Sequence, residues 1–201
     1  MSTTWFVNAG GKSSRFGSPK ALALLDGETL LARAINSLQQ VAREGDSVAV
    51  GFSIEDQFSH LADAEVTIIL DDPMCEGPVS GLASALKFAT SRNSSCLVVV
   101  PVDMPRINAA ALVALRNKAT NEGGTMISRG AISKDVLWTF NAIPSDLFGL
   151  LEAEIHRLCE ASIREVGKSP SLNRILRTAK CDYLDLDDNM LLNVNYPNDL
   201  G

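Results

Sequence analysis

Residues 5–25 read WFVNAGGKSSRFGSPKALALL. Trp5, Phe6 and Val7 place aromatic and β-branched side chains together ahead of a glycine pair, which predicts a short buried strand. Asn8-Ala9-Gly10-Gly11 then leaves the backbone nearly bare and free to adopt positive φ. Successive backbone N–H groups in such a loop can form a concavity that holds an anion. Lys12, Arg15 and Lys20 add positive charge, and Ser13 and Ser14 add hydroxyl donors. A glycine-rich loop with three cations behind a first strand suggests a seat for polyphosphate. An ordinary glycine turn with solvated cations accounts for the same residues.

Two common phosphate motifs do not fit. The dinucleotide fingerprint needs G-x-G-x-x-G, whereas here the glycines are adjacent. Gly11-Lys12-Ser13 has the ending of a P-loop, but the earlier glycine of that motif would fall on Phe6; for Gly167-Lys168-Ser169 it would fall on Ser162.

The rest of the chain alternates strand and helix patterns. Thr29 to Arg43 carries a helical stripe of Leu30, Leu31, Ala34, Ile35, Leu38 and Val41. Strands are predicted at Ser47–Phe52 and Val66–Leu70, the second ending in Asp71-Asp72, with a helix rich in small residues at Val79–Thr90. Cys96-Leu-Val-Val-Val100 is apolar throughout, as expected of a strand covered on both faces of a parallel sheet. Asn108 can cap a helix over Ala109–Thr120. Strands at Thr125–Ser128 and Val136–Phe140 follow, with helices near Ser145–Cys159 and Ser171–Thr178. This order predicts an α/β fold: a three-layer, Rossmann-like, mainly parallel sheet with helices on both faces. With 201 residues and neither repeat nor linker, residues 1–201 read as a single domain.

The net charge of −6 argues against a general nucleic-acid binder. The first strand begins almost at Met1 with no signal peptide pattern, and no apolar run is long enough to span a bilayer, so a cytoplasmic protein without membrane contact is expected. Cys75, Cys96, Cys159 and Cys181 are widely spaced, which predicts four reduced thiols and not a disulfide frame or zinc site. His60 and His156 are isolated, and metal binding by them is not expected.

In sheets of this kind ligands sit beyond the carboxyl ends of the strands. Val100-Pro101-Val102-Asp103-Met104-Pro105 puts Asp103 there, where a carboxylate can hold Mg²⁺ or merely start a turn. Asp71, Asp72 and Gly77-Pro78-Val79-Ser80-Gly81 form a second cluster. Glycines at that spacing let the backbone approach a flat base, or let helix and sheet pack tightly.

Taken together, Ala9-Gly-Gly-Lys-Ser-Ser-Arg-Phe-Gly-Ser-Pro-Lys20 and Leu24-Leu25-Asp26-Gly27-Glu28-Thr29-Leu30-Leu31 resemble the signature of nucleotidyltransferases that build molybdenum cofactor dinucleotides. The MobA-like molybdenum cofactor guanylyltransferases are the nearest match. Gly77-Pro78-Val79-Ser80-Gly81 is similar to their Gly-Pro-Leu-Ala-Gly, Asp103 to their strand-end metal ligand, and Asn193-Val194-Asn195-Tyr196-Pro197-Asn198-Asp199-Leu200 to their terminal motif beside the acceptor. Ser171 to Leu176 also resembles a helix of the family.

The resemblance implies transfer of GMP from GTP to the phosphate of molybdopterin, with Mg²⁺ as cofactor and pyrophosphate as leaving group. It assigns the nucleotide to Asn8, Ala9, Gly10, Gly11, Ser13, Ser14, Lys20, Asp71 or Asp72, Gly77, Pro78, Gly81 and Asp103. Arg15, Lys20 and Asp103 would carry the chemistry, Asp103 the metal, and Asn193 and Asn195 the acceptor. Counting without gaps selects Asp71; counting from the strand end allows Asp72. Cofactor-delivery proteins or molybdoenzymes are the partners implied. A cytidylyl- or sugar-phosphate nucleotidyltransferase of the same fold is the alternative enzyme, and a non-catalytic nucleotide-binding module the alternative outside enzymes. The chain departs from the family in having Asn8 for leucine, Gly51-Phe52-Ser53 where an asparagine is common, no His-Pro pair after Gly130, and Tyr196 for threonine. Asp185, Asp187 and Asp188 read as a solvated edge, with a second metal ligand among them the alternative.

Overall fold

The computed structural model describes residues 1–10, 19–53, 66–164 and 170–200. Strand β1 (Thr3–Asn8) is followed by a short hairpin of β2 (Leu24–Leu25) and β3 (Glu28–Thr29), then helix α1 (Leu30–Gln39). Next come β4 (Ser47–Phe52), β5 (Thr67–Leu70), α2 (Pro78–Ser91), β6 (Cys96–Pro101) and α3 (Ala109–Glu122). The chain continues through β7 (Thr125–Gly130), β8 (Val136–Pro144), α4 (Phe148–Arg164), α5 (Leu172–Leu176) and β9 (Cys181–Leu186).

Side-chain alternation along β1 decides the layering. Trp5 and Val7 point into one core with Leu30, Leu31, Ile35 and Leu38 of α1 and Leu112 and Leu115 of α3. Phe6 points the other way, into a second core with Leu82 and Leu86 of α2, Leu151, Ile155 and Leu158 of α4, and Ile175 of α5. Local signals start the helices where expected: the Thr29 hydroxyl accepts from the Ala32 N–H at 3.1 Å, and Asn108 Oδ1 from the Ala111 N–H at 3.0 Å.

The seven strands of the main sheet run in the order β5-β4-β1-β6-β8-β7-β9. β1 pairs in parallel with both β4 and β6, β4 with β5, and β7 with β9. This is the mainly parallel, two-faced α/β sheet expected, with one difference. β8 lies antiparallel to both β6 and β7. Residues 131–135 are too few for a crossover, so β7 and β8 must pair as a hairpin. The register shifts between Ile127 and Ser128, which marks an irregularity in that hairpin. After β1 the chain winds toward β4 and β5, then crosses back to β6, so the ends of β1 and β6 form the switch point of the sheet.

The cysteine expectation is overturned in part. Cys75, in the turn before α2, and Cys159, on α4, form a disulfide with Cα atoms 5.7 Å apart, although they are 84 positions apart in sequence. Spacing rules detect pairs that are local in sequence, and this pair is made by packing α4 beside α2. Cys96 and Cys181 are free thiols. Burial pushes the Cys96 thiol up to about 12 and raises that of Cys181. Among the described residues, no helix is long and apolar enough to cross a membrane.

Candidate active site

The ends of β1 and β6 lie side by side, Asn8 opposite Pro101. Beyond them is a cavity of about 230 Å³ lined by Asn8, Ala9, Gly10, Lys20, Pro78, Pro101, Val102, Asp103, Thr139 and Asn193. Seven of these residues were singled out in the sequence for nucleotide, metal or acceptor. Pro101, Val102 and Thr139 were not, and Thr139 carries no local signal because its strand enters the sheet through the β7–β8 hairpin.

An ion pair in this cavity joins two residues 83 positions apart. Lys20 Nζ donates to Asp103 Oδ2 at 2.9 Å, and the two side chains are only 16% and 22% exposed. Lys20 opens a 3-10 turn, Lys20–Leu22, that is joined to the start of α1 by the Leu30 N–H to Ala23 carbonyl bond. Asp103 is fixed from two sides. The Val102 N–H donates to the Asn8 carbonyl, and the Val194 N–H donates to the Asp103 carbonyl at 2.9 Å. The second bond brings the C-terminal segment against the cavity, and Asn193 lines it. Asn193 also lines a second cavity of about 350 Å³, which includes Ser133, Asp135, Leu137 and Leu191. Asn195 lines neither cavity, and its N–H, with that of Tyr196, donates to Asp199 Oδ2.

The two consecutive aspartates separate clearly. A Cβ added at Gly10 would collide with Asp71 Oδ2, so the bare backbone of Gly10 accommodates the Asp71 carboxylate. Asp72 turns the other way. Its Oδ2 accepts from Lys87 Nζ at 2.6 Å and its Oδ1 from the Met74 N–H at 2.9 Å. Burial pushes the Asp72 carboxyl up, but the Lys87 and Met74 hydrogen bonds and the charges of Lys87 and His156 outweigh it, leaving its pKa lowered. Lys87 was not legible as a site residue. His156 is not isolated in the fold, since it lies within electrostatic reach of Asp72.

Gly77 caps α2 with φ +63° and ψ −150°, a conformation essentially restricted to glycine, and Pro78 fills the first helical position. Pro78 reaches the cavity; Gly77 does not line it. At Gly81 the structure shows the second of the two readings, close packing of helix on sheet. A Cβ there would lie 2.7 Å from Asn8 Oδ1, and Asn8 Nδ2 donates to the Pro78 carbonyl at 3.4 Å. The space above Gly81 is filled by the Asn8 amide, which ties the first strand to the turn before α2.

Gly11, Ser13, Ser14 and Arg15 lie outside the described residues, as does His60. Among the described residues no three acidic, histidine or cysteine side chains are grouped to hold a metal. Asp103 fits a hard cation nonetheless, because Mg²⁺ is commonly held by one or two protein carboxylates together with substrate phosphates. A second ligand from the acidic C-terminal stretch does not fit. Asp185 pairs with Arg129 and Lys134, Asp188 accepts from the Ile132 and Ser133 N–H groups, and Asp187 caps the turn at Asn189.

Relatives and solved structures bear on the family and the fold. The chain is 34% identical over 121 residues to a probable molybdenum cofactor guanylyltransferase of Opitutus terrae, covering 60% of this chain and 57% of that protein. It is 28% identical over 200 residues to a probable molybdenum cofactor guanylyltransferase of Rhodopirellula baltica, covering 96% and 87%. The fold matches the molybdopterin-guanine dinucleotide biosynthesis protein A of Archaeoglobus fulgidus with a TM-score of 0.72, 19% identity, and coverage of 98% and 94%. The model of the MobA-like NTP transferase domain matches residues 6–179, and the chain, with its lysine–aspartate pair at the switch point of a mainly parallel sheet, belongs to that nucleotidyltransferase family.

Proposed function

We propose that residues 1–201 act as one guanylyltransferase unit that moves GMP from GTP to the phosphate of molybdopterin. The observation that carries this reading is the Lys20–Asp103 pair, 2.9 Å apart in a cavity at the ends of β1 and β6. An acceptor phosphate oxygen attacks the α-phosphorus in line and pyrophosphate leaves. The protein's task is positioning and neutralising charge, so neither a general base nor a covalent intermediate is needed.

Gly10, Gly11, Ser13 and Ser14 cradle the phosphates, and Arg15 and Lys20 stabilise the charge that develops there. Asp103 would hold Mg²⁺, which would supply further neutralisation of the phosphate oxygens. Lys20, paired with Asp103 in the free protein, is within reach of the same phosphates. Asp71, behind Gly10, is assigned to the nucleotide; Asp72 is engaged by Lys87 and takes no direct part. Asn193, shared by both cavities, stands between the nucleotide and the acceptor. Molybdenum cofactor delivery proteins or molybdoenzymes would receive the product. The names of the relatives from Opitutus and Rhodopirellula support the choice of GTP and molybdopterin.

One observation favours the cytidylyl alternative. The Asn8 amide occupies the space above Gly81, which narrows the room for a base and suits the smaller pyrimidine. The test is pyrophosphate release with Mg²⁺, molybdopterin and each nucleoside triphosphate in turn. GTP should support turnover and CTP should not; the reverse order would replace GTP by CTP.

A further inference from the structure

Asp72 lies two residues beyond β5 and opens the turn that leads to Pro78, and helix α2 grips this end of the strand at successive turns. The Ser84 hydroxyl donates to the Leu70 carbonyl at 2.7 Å. The Asp72 N–H donates to the Ser80 carbonyl at 3.3 Å, and Lys87 Nζ reaches Asp72 Oδ2 at 2.6 Å. The Asp72 carboxylate is only 5% exposed, while the Lys87 side chain is half exposed. A surface lysine paired with an exposed acid contributes little. This lysine instead neutralises a charge that has been taken out of water, which is the arrangement in which losing one partner matters most.

The consequence falls on the cavity. Asp72 also accepts the Met74 N–H, and its carbonyl accepts the Cys75 N–H, so its placement sets the course of residues 73–77. On one side of this turn Asp71 stands against Gly10; on the other Pro78 lines the cavity and holds the Asn8 amide. Lys87 itself does not line the cavity. His156 on α4 adds a weaker charge toward the same carboxylate. We propose that Lys87 is a positioning residue for nucleotide binding, locking Asp72 so that Asp71 and Pro78 are presented to the nucleotide. This rests on the guanylyltransferase reading of the cavity.

Lys87→Met should raise the KM for GTP about tenfold, the scale of losing one charge-assisted hydrogen bond, and leave kcat within about twofold. Lys87→Arg, which keeps the charge and the donor, should restore KM. In the ligand-free protein, Lys87→Met should speed amide hydrogen exchange across residues 73–78 about tenfold. If Lys87→Met does not fold, the Asp72→Asn/Lys87→Met double variant removes the stranded charge with its partner; it should fold and keep the raised KM. An unchanged KM in either variant, or no rescue by arginine, overturns the proposal. Should the wild type turn over no GTP, the functional reading fails separately, and exchange decides the role of Lys87: unchanged exchange at 73–78 overturns it.

Discussion

Opening the Cys75–Cys159 bond is the perturbation whose size follows most directly from the structure. The bond closes a loop of 84 residues, so it removes a large share of the freedom of the unfolded chain. In the chain-entropy description a loop of that length is worth about 4–5 kcal/mol at 25 °C. For a domain of this size each kcal/mol moves the melting temperature by roughly 2–4 °C, which gives a drop of about 9–18 °C on reduction. Thiol counting under denaturing conditions is the companion assay. The unreduced protein should expose Cys96 and Cys181 alone, and the reduced protein all four cysteines. In the native protein Cys96 should resist alkylation at mildly alkaline pH, since burial holds its thiol up at about 12. Cys159→Ser should melt where the reduced wild type melts. Four reactive thiols in the denatured, unreduced protein, with a melting temperature indifferent to reductant, would refute the reasoning.

Other expectations concern the site. Asp103→Asn is nearly isosteric and should fold, yet lose most turnover at limiting Mg²⁺; undiminished activity there rules out its metal role. Lys20→Ala should slow transfer about 10²-fold if it stabilises transition-state charge, and a change confined to KM would make it a binding residue only. Gly81→Ala should push the Asn8 amide toward the cavity and weaken nucleotide binding, and Asn8→Ala in the same chain should restore it; additive losses in a titration of the double variant would contradict the packing described. Asp72 has a lowered pKa, so its contribution to stability is present above its unfolded value near 3.8 and is lost as pH falls through the lower folded value. Urea unfolding of Asp72→Asn between pH 6 and about pH 2 should therefore show less acid destabilisation than the wild type, and parallel curves would remove Asp72 from the acid transition.

The parts of the fold written in local patterns were legible. The apolar run of β6, the stripe of α1 and the caps at Thr29 and Asn108 each need only a few neighbouring residues. The antiparallel insertion of β8 was not, because pairing partners far apart in sequence leave no local mark. The β2–β3 hairpin was signalled by Asp26-Gly27, both at positive φ, but two-residue strands are too short for a periodicity to reveal. Within the site, the residue types of Lys20 and Asp103 could be read, but not their meeting across 83 positions. At Gly51 an added Cβ would strike the Phe6 ring, a packing reason for glycine that is invisible before the strands are aligned. The pairing of Asp72 with Lys87 was equally hidden, since Lys87 looks like any solvated helix lysine until its partner is found buried.

Transfer of label from GTP tests the central claim most directly. With Mg²⁺ and molybdopterin, label in the α-phosphate should appear in the acceptor product, and label in the γ-phosphate should appear only in pyrophosphate. Label passing from the γ-phosphate to the acceptor, or α-label entering product from CTP and not from GTP, would contradict the account.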